Sequence, residues 1–136
     1  MSQQPPRAAL TLEASVSPSE DLDKVIAALR SVTGDAEVEV VAGADAVRLL
    51  SKDPRALQRL KDQFRDRHVR SAARRRLLAS IHGTRTTLML NRQAATKGVL
   101  VLCGSPGESP LGPIYATIRS EKLETVIDWL SGHAEE

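Results

Sequence analysis

Leu10, Leu12, Ala14 and Val16 alternate with Thr11, Glu13 and Ser15, and that period of two predicts a strand with one face on a core. Ser17-Pro18-Ser19-Glu20 follows with an N-cap serine, a first-turn proline and a capping-box glutamate, so a helix is expected to start there. Leu22, Val25, Ile26 and Leu29 then recur at helical spacing, and Gly34 supplies the stop. Residues 37–41 and 46–50 read as two further strands, turned by Gly43. Asp53-Pro54 is a second N-cap and first-turn pair, and Leu57, Leu60 and Phe64 behind it make a narrow apolar stripe. The next stripe, Val69, Ala73, Leu77 and Ile81, lies on a different face and ends at Gly83, which predicts a break near His68.

After Gly83 the period returns to two. Thr86, Leu88 and Leu90 alternate, Val99 to Cys103 reads as a buried strand, and Ile114 to Ile118 as another. The Pro- and Gly-rich stretch from Gly104 to Pro113 between them is a loop. A last helix is expected from Ser120 to Leu130, with Leu123, Val126, Ile127 and Leu130 inward. Strand, helix, two strands, one or two helices, three strands, helix is an α+β order. Hairpin-length connections favour a mainly antiparallel sheet with helices packed on one face. Residues 8–132 are expected to form a single domain, with flexible termini at 1–7 and 133–136.

Composition changes this picture little until charge is located. The 136 residues are 41% hydrophobic and 26% charged, which suits a folded domain rather than a disordered chain. No apolar run suits a signal peptide or a membrane span, so a soluble, cytoplasmic protein is expected. The net charge is only +2. Yet residues 48–97 hold 14 Lys and Arg against 3 acids, a net +11, and the remainder holds 5 against 14, a net −9. Such polarity attracts phosphates to the middle segment.

Arginine suits phosphate because its guanidinium is planar, permanently charged and can bind through two N–H groups. Arg55, Arg59 and Arg75 are placed away from the apolar stripes, with Arg70, Arg74 and Arg76 nearer the edges. Asp62 and Asp66 sit at helical spacing from several of them, but cannot cancel the excess. Arg85, Arg92 and Lys97 add cations on strand ends and loops, and Asn91 and Gln93 in the turn Leu90-Asn-Arg-Gln-Ala-Ala95 could bond to bases. The aromatics are Phe64, Tyr115 and Trp129, too few for a stacking platform, so any RNA is expected to be held by backbone charge and shape.

Catalytic signals are lacking. The 104–113 loop has no Gly-Lys-Ser/Thr ending and no following helix, which excludes a P-loop. His68, His82 and His133 lack metal-ligand spacing, Cys103 lies in an apolar run as a buried thiol, and Asp128 reads as a surface acid. No catalytic residue, metal or cofactor is expected.

Three blocks carry a resemblance: Glu108-Ser-Pro-Leu-Gly-Pro-Ile114, Leu90-Asn-Arg-Gln-Ala-Ala95 and Ile127-Asp-Trp-Leu130. With the opening strand and its Ser-Pro-Ser-Glu-Asp segment, they resemble the signature blocks of an uncharacterised archaeal protein family labelled as RNA-binding domains of unknown function. The resemblance spans about Leu10 to Leu130, and Arg92 stands where the family pattern has lysine. It implies a fold like that of the large-subunit ribosomal protein that grips 5S ribosomal RNA, and it brings no catalytic residues.

The expected function is therefore a non-catalytic RNA-binding domain for structured RNA, ribosomal RNA included. The alternative is a protein-interaction module or homodimer in which the +11 middle meets a −9 flank. An enzyme ranks third, and would need an acid or histidine converging on the Asn91–Gln93 turn and the 104–113 loop.

Overall fold

The computed structural model describes residues 5–64, 67–109 and 111–132. Asp66, Pro110, His133 and the outermost terminal residues, 1–4 and 133–136, lie outside them. The elements run β1 (Ala9–Ser15), α1 (Leu22–Thr33), β2 (Glu39–Ala42), β3 (Ala46–Ser51), α2 (Pro54–Gln63), α3 (Arg67–Ala79), β4 (Arg85–Leu90), α4 (Arg92–Thr96), β5 (Ile114–Arg119) and α5 (Leu123–Leu130). The strands form one sheet in the order β2-β3-β1-β5-β4, antiparallel throughout. The expected α+β class with helices on the sheet is what forms.

The sheet register explains why one face is wet. Leu12 lies opposite Leu49 and Ala116, and Ala116 opposite Leu88, so these four share the inner face, where all are buried. α1 packs on β1 and β3, α3 on β4, and α5 on α2 and α3. Leu29, Leu57, Leu60, Phe64, Leu77, Val126 and Ile127 close the core from the helix side. Each such fully buried side chain contributes roughly 1.5–3 kcal/mol. Among the described residues no helix packs on the other face.

Local chemistry moves several expected boundaries. α1 starts later than Ser17 because Asp21 is its N-cap, accepting from the Asp23 N–H at 3.0 Å. The Ser17–Glu20 segment is a separate turn, in which Glu20 Oε1 accepts the Ser17 N–H at 2.9 Å. α2 begins as expected, with Asp53 accepting from the Arg55 N–H and Pro54 in the first turn. It ends at Gln63, with Phe64 as its C-cap, and α3 begins anew at Arg67, so the expected break falls just before His68. Ile81 lies beyond the end of α3 and is exposed. α5 begins at Leu123 because Ser120 is used elsewhere: its Oγ donates to the Arg7 carbonyl at 2.8 Å.

Two readings are corrected. Residues 99–103 are not a buried strand, since Val99 and Val101 are 50% and 44% exposed. The segment meets β4 through one bridge, Leu102 to Leu90, with Asn91 N–H on the Val101 carbonyl and Cys103 N–H on the Met89 carbonyl. It skirts the sheet edge and buries only Leu100 and Cys103 fully. The Asn91–Ala95 stretch is not a turn but the start of α4, with Asn91 Oδ1 accepting the Ala94 N–H at 2.9 Å.

Candidate nucleic-acid interface

The arginines of α2 and α3 are largely committed to the fold. Arg59 Nε donates to the Ser31 carbonyl at 2.9 Å, in the last turn of α1. Its chain lies so close to Gly34, at φ +63°, that a Cβ there would sit 2.6 Å from Arg59 Cδ. Arg74 Nη1 donates to Asp128 Oδ1 at 2.6 Å and to Ser131 Oγ at 3.2 Å, at the end of α5. Arg70 lies against Gly132 just past that end. Helix C-termini carry unsatisfied carbonyls and partial negative charge, so three of these cations sit where two helices need them. Arg76 Nη1 donates to the Cys103 carbonyl at 2.7 Å. Arg55 forks onto Asp53 through Nε and Nη2 at 3.0 and 2.8 Å, and holds that carboxyl far below the usual range.

Arg92 departs furthest from its expected role. It is 4% exposed, with Nη1 donating to Glu20 Oε2 at 2.8 Å and Nη2 to Ser15 Oγ at 3.3 Å. Desolvated and paired, it cannot reach a phosphate. Asn91 spends its side-chain oxygen on the α4 cap. Gln93, Arg75, Arg85 and Lys97 are exposed. Among the described residues, Arg75, Arg85 and Lys97 have no side-chain hydrogen bond or ion pair.

The open face of the sheet presents a different set. Its cross-strand rows follow from the register. Val41, Arg48, Glu13, Tyr115 and Met89 form one row, and Arg48 pairs with Glu13 at 3.3 Å. Glu39, Leu50, Thr11, Thr117 and Thr87 form the next, with the last two threonine hydroxyls 3.2 Å apart. The last row is Ala9, Arg119 and Arg85. Lys52 follows Ser51, the partner of Leu10, and extends that row on the far side of Ala9. Beyond it the sheet end opens into a groove of about 770 Å³ whose lining includes Arg7, Lys52, Arg119 and Lys122. Tyr115 is the one aromatic on this face, 39% exposed.

Sequence reasoning singled out Arg85 but missed Lys52 and Arg119, because the members of the row come from four distant segments, two of them outside the basic middle. The alternation in β5 carried a signal. Tyr115, Thr117 and Arg119 occupy the positions opposite to Ile114, Ala116 and Ile118.

No family model matches the chain. A UPF0201 protein of Sulfolobus acidocaldarius is 39% identical over 122 residues, 88% of this chain and 84% of that one. A UPF0201 protein of Aeropyrum pernix is 36% identical over 128 residues, 92% of this chain and 85% of that one. The chain belongs to the UPF0201 family. The crystal structure of the UPF0201 protein from Methanococcus jannaschii superposes with a TM-score of 0.73 at 22% identity, covering 90% of this chain and 92% of that one, which shows a common fold.

Three of the segments that carry the UPF0201 resemblance meet in space at Arg92. Glu20 belongs to the Ser-Pro-Ser-Glu-Asp segment, Arg92 to the Asn-Arg-Gln-Ala-Ala block, and Ser109 and Gly112 to the Ser-Pro-Leu-Gly-Pro block. Ser109 Oγ accepts the Arg92 N–H at 3.1 Å and donates to the Gly112 carbonyl at 3.0 Å. Glu20 is an acid that converges on the start of α4, and its carboxylate is committed to Arg92 and the Ser17 N–H. These blocks pin β1, α4 and the 104–113 loop together. Cys103 is buried, and burial first, then the charge of Glu108, pushes its thiol up, away from the reactive thiolate. Among the described residues no group of His, Cys, Asp or Glu could hold a metal ion. No described helix is long and apolar enough to cross a membrane.

Proposed function

We propose that the chain is a non-catalytic RNA-binding domain that holds structured RNA on the open face of its sheet, and that its likeness extends to the 5S-RNA-gripping ribosomal protein fold. The observation that carries this reading is the row Lys52, Ala9, Arg119, Arg85. These three cations have no side-chain partner among the described residues and share one face with the exposed ring of Tyr115. Adjacent strands are about 4.8 Å apart, so cations on successive strands can follow a phosphate backbone. One ring can stack on one base, which leaves charge and shape as the main source of affinity. Arg75, Gln93 and Lys97 are exposed but stand on α3, on α4 and at the α4 C-cap, in the helix layer, and are not part of this face. The arginines committed to helix ends contribute through fold stability.

Titration of a structured RNA at two salt concentrations tests the reading. The Arg85→Ala, Arg119→Ala double variant is expected to weaken binding about tenfold and to flatten the salt dependence. Tyr115→Ala is expected to weaken it by a smaller factor. An unchanged affinity in the double variant removes this face from the interface.

A second reading has its own observation. Val41, Leu50 and Tyr115 are exposed on that same face, where a second copy could cover them. Self-association without RNA, weakened by salt as the opposite charge of the two regions would require, would favour it.

A further inference from the structure

We propose that the groove at the end of the sheet takes a terminal phosphate monoester of an RNA strand, an inference that rests on the RNA reading above. The lining brings Arg7, Lys52, Arg119 and Lys122 together against a single carboxylate, Glu121, a net +3. Among the described residues none of these four side chains has a hydrogen bond or ion pair, unlike the arginines of α2 and α3. Four like charges gathered in one concavity repel each other, and an anion relieves that repulsion.

The floor is shaped for such a group. Inner-face alternation puts Ser51, Leu10 and Ile118 toward the core, so Lys52, Ala9 and Arg119 all project to the open face. Two strand spacings separate Lys52 from Arg119, about 10 Å, and between them stands only the methyl of Ala9. That gap admits a tetrahedral anion with a long cationic side chain on either side. Ser120 fixes the remaining walls. Its Oγ donates to the Arg7 carbonyl at 2.8 Å and accepts the Lys122 N–H at 3.1 Å, and its own N–H bonds the Thr84 carbonyl at 2.9 Å. Ser120 is buried, so the backbones bearing Arg7 and Lys122 are held in place before any ligand arrives. Lys122 is also the N-cap of α5 and makes no side-chain cap bond, and Glu124 in the first turn offsets part of the positive end of that helix.

Charge matching selects the ligand class. An internal phosphodiester carries one negative charge and is served by one or two cations of the open face. A phosphate monoester carries about −1.5 to −2 at neutral pH and offers three acceptor oxygens. The groove supplies donors on several sides and a charge that exceeds what a diester needs. It also lies at the end of the row proposed to follow the backbone, where a strand terminus would arrive.

The test compares a 3′-labelled short oligoribonucleotide bearing a 5′-monophosphate with the same oligonucleotide ending in a 5′-hydroxyl, by fluorescence anisotropy on the full chain. The phosphorylated form is expected to bind about tenfold more tightly, the worth of added charge-assisted hydrogen bonds. The Lys52→Ala, Lys122→Ala double variant, both exposed positions, is expected to erase that difference while circular dichroism stays unchanged. Equal affinity for the two forms, or a preference that survives in the double variant, overturns the terminal-phosphate site and leaves the RNA reading standing. Failure of both forms to bind at low salt, while the structured RNA of the test above still binds, overturns the terminal-phosphate site alone, and failure of all three overturns both readings. Adenosine monophosphate binding as tightly as the phosphorylated oligonucleotide would overturn the strand-end assignment and give the groove to a free phosphate ester.

Discussion

Arg92 Nη1 and Glu20 Oε2 meet at 2.8 Å across 72 residues of chain, and both side chains are nearly buried. The pair joins the turn after β1 to the start of α4; Ser15 Oγ also accepts from the guanidinium and Ser109 Oγ from the Arg92 backbone N–H, while Arg92 Nε is buried without a partner among the described residues. A buried charge is tolerable only while its partner is present. Arg92→Ala is therefore expected to cost about 3 kcal/mol by leaving the Glu20 carboxylate uncompensated. Arg92→Lys, which keeps the charge and loses the fork, should cost less. Urea unfolding of the two variants checks the order, and an Arg92→Ala variant as stable as the wild type would show that the pair does not hold the fold.

Acid should weaken this junction. The Ser17 N–H first, and Arg92 with it, hold the Glu20 carboxyl below its ordinary value of 4.5. A depressed folded-state pKa contributes stability that is complete above the unfolded value and is lost as pH falls through the lower folded value. The loss from Glu20 is thus expected below about pH 4.5. Glu20→Gln should be less stable than the wild type at neutral pH, with the gap closing in acid. Urea midpoints measured from pH 7 down to pH 3 test this, and a gap that widens in acid would reverse the sign.

The arginines of α3 should separate by partner and not by charge. Arg74, bound to Asp128 and Ser131, is half-buried, whereas Arg75 is exposed. Arg74→Ala is expected to lose roughly 1 kcal/mol, near the upper end for a partly exposed pair. Arg75→Ala should stay within about 0.5 kcal/mol of the wild type. Thermal melts of the two single variants decide it. Equal losses would mean that the Asp128 contact adds nothing.

Leu111 holds a left-handed backbone, at φ 71°, in a turn closed by the Gly112 N–H on the Ser109 carbonyl at 2.9 Å. Its side chain is 57% exposed, so little packing offsets the steric cost. Leu111→Asn, which tolerates that region, is expected to raise stability by about 1 kcal/mol. A loss of stability would indicate that the Leu111 side chain has a packing role after all.

The alternation of Leu10, Leu12 and Ala14, and of Thr86, Leu88 and Leu90, was enough to place those strands and their inner faces, because a half-buried strand repeats every two residues whatever lies opposite. Asp53-Pro54 and Gly34 were readable for a similar reason: capping is a bond within a few residues of chain. Ser17 was read as the cap of α1, but Asp21 caps it, and Glu20 bonds the Ser17 N–H and Arg92 instead. Val99–Cys103 looked like a core strand because hydrophobicity does not reveal whether a neighbour covers the outer face, and here none of the described residues buries Val99 or Val101.

Charge was the least legible property. The count of arginines in residues 48–97 is a fact of sequence, but whether each faces water, a helix C-terminus or a buried glutamate depends on partners 27 to 72 residues away. Sequence alone thus determined most of the elements, their apolar faces and the α+β class, all products of short-range periodicity. Only the tertiary structure decided which cations are free, because long-range packing brings Arg7, Lys52, Arg119 and Lys122 to one groove and takes Arg59, Arg74, Arg76 and Arg92 into the fold.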